Sequence, residues 1–140
     1  MIIELNTKEE LDIIDITEQV KQFVKQSKIE NGIINIQTLH TTTALVLNEN
    51  EPRLLQDFKN HLNKIAPKND KYLHNDLDQR KMVCENECIN GHSHCRAIHL
   101  PSNICLNILK SQLQLGQWQS ILFIELDHAR PRKIQLNIIS

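Results

Sequence analysis

The sequence predicts an α+β fold in a single domain spanning residues 1–140, a mainly antiparallel sheet with two helices in its N-terminal half. Three observations carry that expectation. Apolar residues recur at helical spacing in two places only, around Val20–Val24 and along Leu54–Ile65. From Cys95 onward, strand-like runs alternate with short turns, and strands joined by short turns pair antiparallel. A length of 140 residues suffices for one core and is too short for two ordinary ones.

Taken in order, Ile2–Leu5 and Leu11–Ile16 read as short strands on either side of the polar turn Asn6-Thr7-Lys8. A helix follows, with Asp15 and Glu18 at capping-box spacing, Val20, Phe23, Val24 and Ser27 on one face, and Asn31-Gly32 as its stop. Ile33–Leu39 and Ala44–Leu47 are the next strands. The second helix begins near Asn50, accommodates Pro52 in its first turn, carries Leu54, Phe58, Leu62 and Ile65 as an apolar stripe, and ends at Pro67. Lys68–Ser93 is polar and without period, a length that in compact domains marks functional or disordered chain. Because it holds His74 and ends beside His94, the functional reading is preferred. Five strands complete the chain: Cys95–Leu100, Ile104–Leu109, Gln112–Leu115, Ser120–Leu126 and Lys133–Ile139.

Composition removes several function classes. Hydrophobic residues make up 40% and charged residues 24%, with a net charge of −1. That balance suits a globular protein and argues against non-specific binding to nucleic acid. No run of about 18 apolar residues crosses a membrane, and Met1-Ile2-Ile3-Glu4 lacks a basic leader segment, so the expected location is the cytoplasm. In that compartment Cys84, Cys88, Cys95 and Cys105 are reduced thiols rather than a disulfide framework. Cys84 and Cys88 have C-x-x-x-C spacing with no second pair, a weak metal signal.

His40, His74 and His94 each sit in a polar motif that core periodicity does not explain. His40 opens a hydroxyl run, Thr41-Thr42-Thr43, at a strand end; His74 leads His-Asn-Asp in the polar segment; His94 closes Asn90-Gly91-His92-Ser93-His94. Neutral imidazoles carried by different elements are the usual donors for zinc and similar borderline metals. Isolated histidines more often serve as hydrogen-bonded surface or core residues, which is the reading for His61, His99 and His128. His92, two residues before His94, faces the same side on an extended backbone and is a fourth-ligand or supporting residue, or else a solvated loop histidine.

Asn48-Glu49 and Asp57 place carboxylates at the start of the second helix, where they orient a ligand histidine, act as a general base, or simply cap the helix. Glu49 ranks first, as it immediately follows a strand expected to end in the same neighbourhood as His40. Arg130 and Arg132 flank Pro131 with two forked donors suited to phosphate, or to a solvated hairpin end. Trp118, after Gly116, reads as packing over the sheet or at a subunit contact.

Together, His40-Thr41-Thr42-Thr43-Ala44 through Asn48-Glu49-Asn50, Tyr72-Leu73-His74-Asn75-Asp76, Asn90-Gly91-His92-Ser93-His94, Leu115-Gly116-Gln117-Trp118-Gln119 and Arg130-Pro131-Arg132 resemble the YjbQ-like family, also called the secondary thiamine-phosphate synthase enzyme family. The resemblance implies a sheet that curls towards a barrel, a homotrimer with pockets near subunit boundaries, and a metal ion held by His40, His74 and His94. It further implies an enzyme, with thiamine-phosphate synthesis as a secondary activity, that joins a pyrimidine pyrophosphate to a thiazole phosphate. On that reading Glu49 handles the proton, Asn48, Arg130 and Arg132 hold the small phosphorylated substrate, and zinc suits the three imidazoles. Two rivals stand beside it: a metal-dependent hydrolase using an activated water, and a trimeric metal- or small-ligand-binding protein without turnover. The stretch between His74 and His94, with Cys84 and Cys88, is longer than in the family's shorter members.

Overall fold

The computed structural model describes all residues from Met1 to Ser140. Strands β1 (Ile2–Asn6), β2 (Ile13–Asp15), β3 (Asn31–Thr38), β4 (Thr43–Asn48), β5 (Asn103–Leu109), β6 (Gln112–Leu113), β7 (Ser120–Glu125) and β8 (Pro131–Ile139) form two sheets. One has the order β1-β8-β3-β5-β6 and the other β2-β7-β4. Every pairing is antiparallel, although only β5 and β6 are joined by a short turn and the other pairs are distant in sequence. The strongly curled half-barrel is the expected α+β class. No helix is long and apolar enough to cross a membrane.

Period-two patterning explains the layers. Ile34 and Ile36 of β3, and Ile134 and Leu136 of β8, point inward with Ile104 and Ile108 of β5. They meet Leu45 of β4 and Ile121 and Phe123 of β7, while helix α1 (Thr17–Ser27) closes the core with Val20 and Val24. Strand β7 is buried on both faces. Ile124, and Leu126 just beyond the strand, turn away from the main core and pack with Ala44, Leu11 and Leu62 of helix α2 (Pro52–Ile65). Each such fully buried aliphatic side chain contributes about 1.5–3 kcal/mol.

Several local expectations are corrected. Residues Gly91–Ala97 form a third helix, α3, where the apolar run from Cys95 had suggested a strand. A short run cannot set its own period. Here His92, Ser93 and Arg96 supply the buried face, so polar residues do the packing that apolar ones were expected to do. The capping box at α1 is not formed: Asp15 Oδ1 accepts from the Thr17 N–H at 2.9 Å, and Glu18 pairs with Lys21. That helix ends at Lys28, in the left-handed region with φ 58°, and Asn31-Gly32 instead open β3. Gly32 is required by close approach, because a Cβ there would lie 2.4 Å from the carbonyl oxygen of Ile139. Strand β6 stops at Leu113, two residues short of the expected end. The segment after α2 holds two single 3-10 turns, Leu73–Asn75 and Leu77–Gln79.

Candidate functional site

His40, His74 and His94 line one cavity of about 460 Å³, together with Thr41, Thr42, Arg80, Glu87, Asn90, Arg130 and Arg132. The chain reaches it from three directions. His40 lies in the corner between β3 and β4, tied to β8 by a hydrogen bond from the Lys133 N–H to its Nε2 at 2.8 Å. His74 sits in the first 3-10 turn and His94 on α3, with ring centroids 4.7 Å apart and rings edge to face.

Gly91 makes that contact feasible. Its N–H donates to Asn75 Oδ1 at 2.9 Å, fastening the His74 turn to the first residue of α3. A Cβ on residue 91 would fall 2.5 Å from the Cβ of Tyr72, so any side chain would push the two segments apart. Tyr72 is anchored in turn by its hydroxyl, which donates to the carbonyl of Pro67.

On the opposite wall two arginines and two carboxylates interlock. Arg132 extends the inward-facing row of β8 and is almost completely buried; it is neutralised by Glu125 on β7, with Nε donating to Oε2 at 2.6 Å and Nη2 to Oε1. Arg130 pairs with Asp127 Oδ2 at 2.5 Å, and both guanidinium groups donate to Thr42 Oγ1. Arg132 is therefore a structural ion-pair partner whose edge reaches the cavity, rather than a residue at a solvated hairpin end. Arg80 and Glu87 form a further pair at 3.0 Å on the rim.

The surroundings of His40 and His94 favour their uncharged forms. Burial, then the positive charge of Arg132, lowers the His40 pKa from its usual value. Burial, then neighbouring His74, does the same to His94. Glu87 is held below the ordinary carboxylate range by the Cys84 N–H and by Arg80. Neutral imidazoles retain the lone pairs that a metal or a proton requires.

Two of the three histidines fit a metal ion better than the third. His74 Nε2 is buried and has no hydrogen-bond partner, an orphaned atom that a cation would satisfy. His40 Nε2 already accepts from Lys133, which puts the ring proton on Nδ1 and makes that nitrogen a donor. The three do not all bring a ring nitrogen within 4.8 Å of one another in the protomer.

The remaining expected residues lie elsewhere. Strand β4 runs away from His40, so Asn48 and Glu49 fall at its far end, roughly 17 Å along an extended chain. Asn48 borders a small apolar groove with Phe58 and Leu62, and Glu49 lines a surface cleft beside Trp118. His92 does not face the site. On a helix residues two apart point to opposite sides, and His92 instead meets Glu10 at 3.2 Å and the ring of Tyr72. Arg80, Glu87, Glu125 and Asp127 had no distinguishing signal in the sequence, since each belongs to an ordinary polar segment or strand end. A second cavity of similar volume, lined by Lys21, Lys25 and Lys110, offers ammonium groups but no imidazole or carboxylate.

The family model for UPF0047 protein YjbQ-like matches residues 1–140. The chain belongs to the YjbQ-like UPF0047 family. Among curated relatives, a UPF0047 protein of Methanothermobacter thermautotrophicus is 37% identical over 96% of this chain and 87% of its own length. One from Archaeoglobus fulgidus is 36% identical over 96% of both. A crystal structure of a protein of unknown function from Sulfolobus solfataricus is 32% identical, covers 99% of this chain and 94% of its own, and superposes with a TM-score of 0.88. An uncharacterised member from Clostridium acetobutylicum, also 32% identical, covers 99% of each chain with a TM-score of 0.87. The match spans the segments carrying His40, His74 and His94.

Proposed function

We propose that this YjbQ-like protein is a cytoplasmic, homotrimeric enzyme acting on a small phosphorylated substrate with the help of a divalent metal, and that thiamine-phosphate formation is among its reactions. The observation that carries the reading is the unpartnered, buried Nε2 of His74 beside His94, in a cavity rimmed by Arg80 and Arg130. Zinc suits imidazole donors better than magnesium, which prefers oxygen. When bound it would act as a Lewis acid on a phosphate oxygen. His74 and His94 would hold it, with His40 recruited only by giving up its bond to Lys133. Otherwise His40 Nδ1 donates to the substrate. Arg80 and Arg130 would receive the phosphate, exchanging part of their pairing with Glu87 and Asp127 for charge-assisted bonds to the ligand. Glu49 and Asn48 have no part within the protomer.

Trimer formation is supported by apolar residues left at the surface, Ile98 at 80% exposed and Trp118 at 67%, and by sheets that end in outer strands instead of closing on themselves. Light scattering reporting three subunits bears on this directly, and a stable monomer removes it. The activity is tested by growth of a thiamine-phosphate-synthase-deficient host carrying the wild-type chain or His74→Ala, alongside product formation by the purified proteins. Rescue by the wild type alone supports the reading.

A binding protein without turnover is the second reading, and one observation favours it. The lining carboxylate Glu87 and the bordering Glu125 and Asp127 are each already paired with an arginine, leaving no free carboxylate on the cavity wall to act as general base. Tight metal and phosphate-ester binding with no product from either substrate pair or from simple ester hydrolysis selects it.

A further inference from the structure

The connection from β7 to β8 meets the long polar segment at a group of side chains that the histidine cavity leaves aside. Cys88, Asp127 and His128 each offer one ligand atom, and these atoms lie within 4.8 Å of one another. We propose that they form a second cation site, for zinc or a similarly thiophilic dication, and that its occupation fastens the 76–90 segment to the end of the sheet.

The donor set selects the ion. A thiolate, a carboxylate and an imidazole suit zinc and its neighbours, whereas magnesium and calcium require oxygen. One thiolate and one carboxylate supply the negative charge that attracts a dication, the carboxylate sharing its charge with Arg130. The thiol proton goes to solvent on binding. Three protein donors leave the fourth tetrahedral position to water.

Geometry supports the same assignment. Nitrogen and oxygen ligands about 2.0–2.1 Å from a tetrahedral zinc stand about 3.4 Å apart. His128 Nδ1 and Asp127 Oδ1 are already separated by 3.3 Å. Asp127 is nearly buried, and its other oxygen, Oδ2, accepts from Asn90 Nδ2 at 2.8 Å and from Arg130. Oδ1 is thus the oxygen presented to an ion, oriented by hydrogen bonds on its partner atom in the manner of supported metal carboxylates. The backbone there is fixed too: the Asp127 N–H donates to Glu125 Oε1 and the Leu126 N–H to the Thr42 carbonyl. Two donors therefore sit on a rigid strand end, and Cys88 arrives from the segment between the two pocket histidines. Asn90 links the sites, since it also lines the histidine cavity.

The test is cobalt titration of the full-length protein under reducing conditions, followed in the near ultraviolet, where thiolate-to-cobalt charge transfer absorbs and imidazole ligation does not. The expected result is a band that has saturated by two equivalents of cobalt, one of them taken without a band by the imidazole site, and that disappears in Cys88→Ser and persists in Cys84→Ser. Asp127→Asn and His128→Ala each weaken binding at least about ten-fold. His74→Ala leaves the band in place, which separates this site from the imidazole pair and lets either assignment fail alone. Absence of the band, its survival in Cys88→Ser, or its loss in His74→Ala overturns the proposal. Zinc should also slow tryptic cleavage after Lys81 in the wild type but not in Cys88→Ser, and equal rates with and without zinc overturn the fastening.

Discussion

Replacing Arg96 by methionine keeps the volume and the apolar stem of a fully buried side chain while removing every donor it carries. Arg96 holds α3 in place through three bonds: Nε to the Ala66 carbonyl at 3.1 Å, Nη1 to Glu10 Oε1 at 2.8 Å and Nη2 to Asn63 Oδ1 at 2.8 Å. Deleting one partner of a buried ion pair costs about 3–5 kcal/mol, mostly because the other charge stays behind unpaired. Glu10 is 21% exposed and keeps Lys68 at 2.5 Å, so the lower end applies, about 3 kcal/mol. With a urea m-value of about 2 kcal/mol/M, the unfolding midpoint should fall by about 1.5 M. A double-mutant cycle with Glu10→Gln should show the two changes to be non-additive by about 1 kcal/mol or more, as expected for side chains in one hydrogen-bonded network. Circular dichroism through the urea transition measures all four proteins. A loss below about 1 kcal/mol for Arg96→Met, or full additivity in the cycle, would refute the view that this network positions the helix carrying His94.

His94→Ala removes a donor from a polar cavity, so metal content should drop while stability changes by less than about 1 kcal/mol; Ile124→Ala, in the core, should cost about 2–5 kcal/mol and leave metal content alone. Metal analysis and thermal unfolding on the same preparations decide between them, and retained metal in His94→Ala counts against the site. Gly91→Ala drives a Cβ into Tyr72 and should separate the His74 turn from α3, lowering metal affinity and destabilising by about 1–3 kcal/mol, checked by urea unfolding and metal titration. Acid should weaken the fold in two stages. Burial, ahead of the opposing pull of Glu10, lowers the pKa of His92, so below about pH 6.5 the unfolded chain takes up a proton that the native state resists. For Glu10 burial raises the pKa, but bonds from Lys68 and Arg96 outweigh it and the net shift is down; its stabilisation is present above about pH 4 and is lost as pH falls further. Denaturation at a series of pH values should show the decline, with His92→Gln flattening its upper part, and stability that rises from neutrality towards about pH 5.5 would contradict it.

Much of the architecture was legible because hydrophobic period is a local property. Val20 and Val24 on α1, the stripe from Leu54 to Ile65 on α2, and the alternation through Ile34, Ile36, Ile134 and Leu136 each declare their element within a few residues. The three histidines were legible for the opposite reason, as polar residues at places where packing had no use for them. What failed depends on pairing across the fold. Helix α3 is buried through His92 and Arg96, and such burial is tolerable because partners distant in sequence meet them, Ala66 and Asn63 at Arg96 and Glu10, eighty-six residues before Arg96, at both. Arg132 sits on the inward row of β8 because Glu125 faces it from β7, which no reading of Arg130-Pro131-Arg132 alone reveals. Glu49 was expected near His40 because the strand before it should have ended in that neighbourhood, whereas β4 starts there and carries Glu49 to its far end.

The bond from the Gly91 N–H to Asn75 Oδ1 ties the chain together at both ends of the stretch from Asp76 to Asn90. That stretch is consequently a loop hung from a closed neck, and the neck, not the loop, sets the spacing of His74 and His94. Closing a longer loop costs little, about 0.6 kcal/mol for each doubling of length. Insertions there can alter the cavity's mouth, its rim charges and its thiols without moving the imidazoles. Ligand preference and metal geometry are thereby free to diverge independently, one recorded in the appendage and the other in the clasp that holds it.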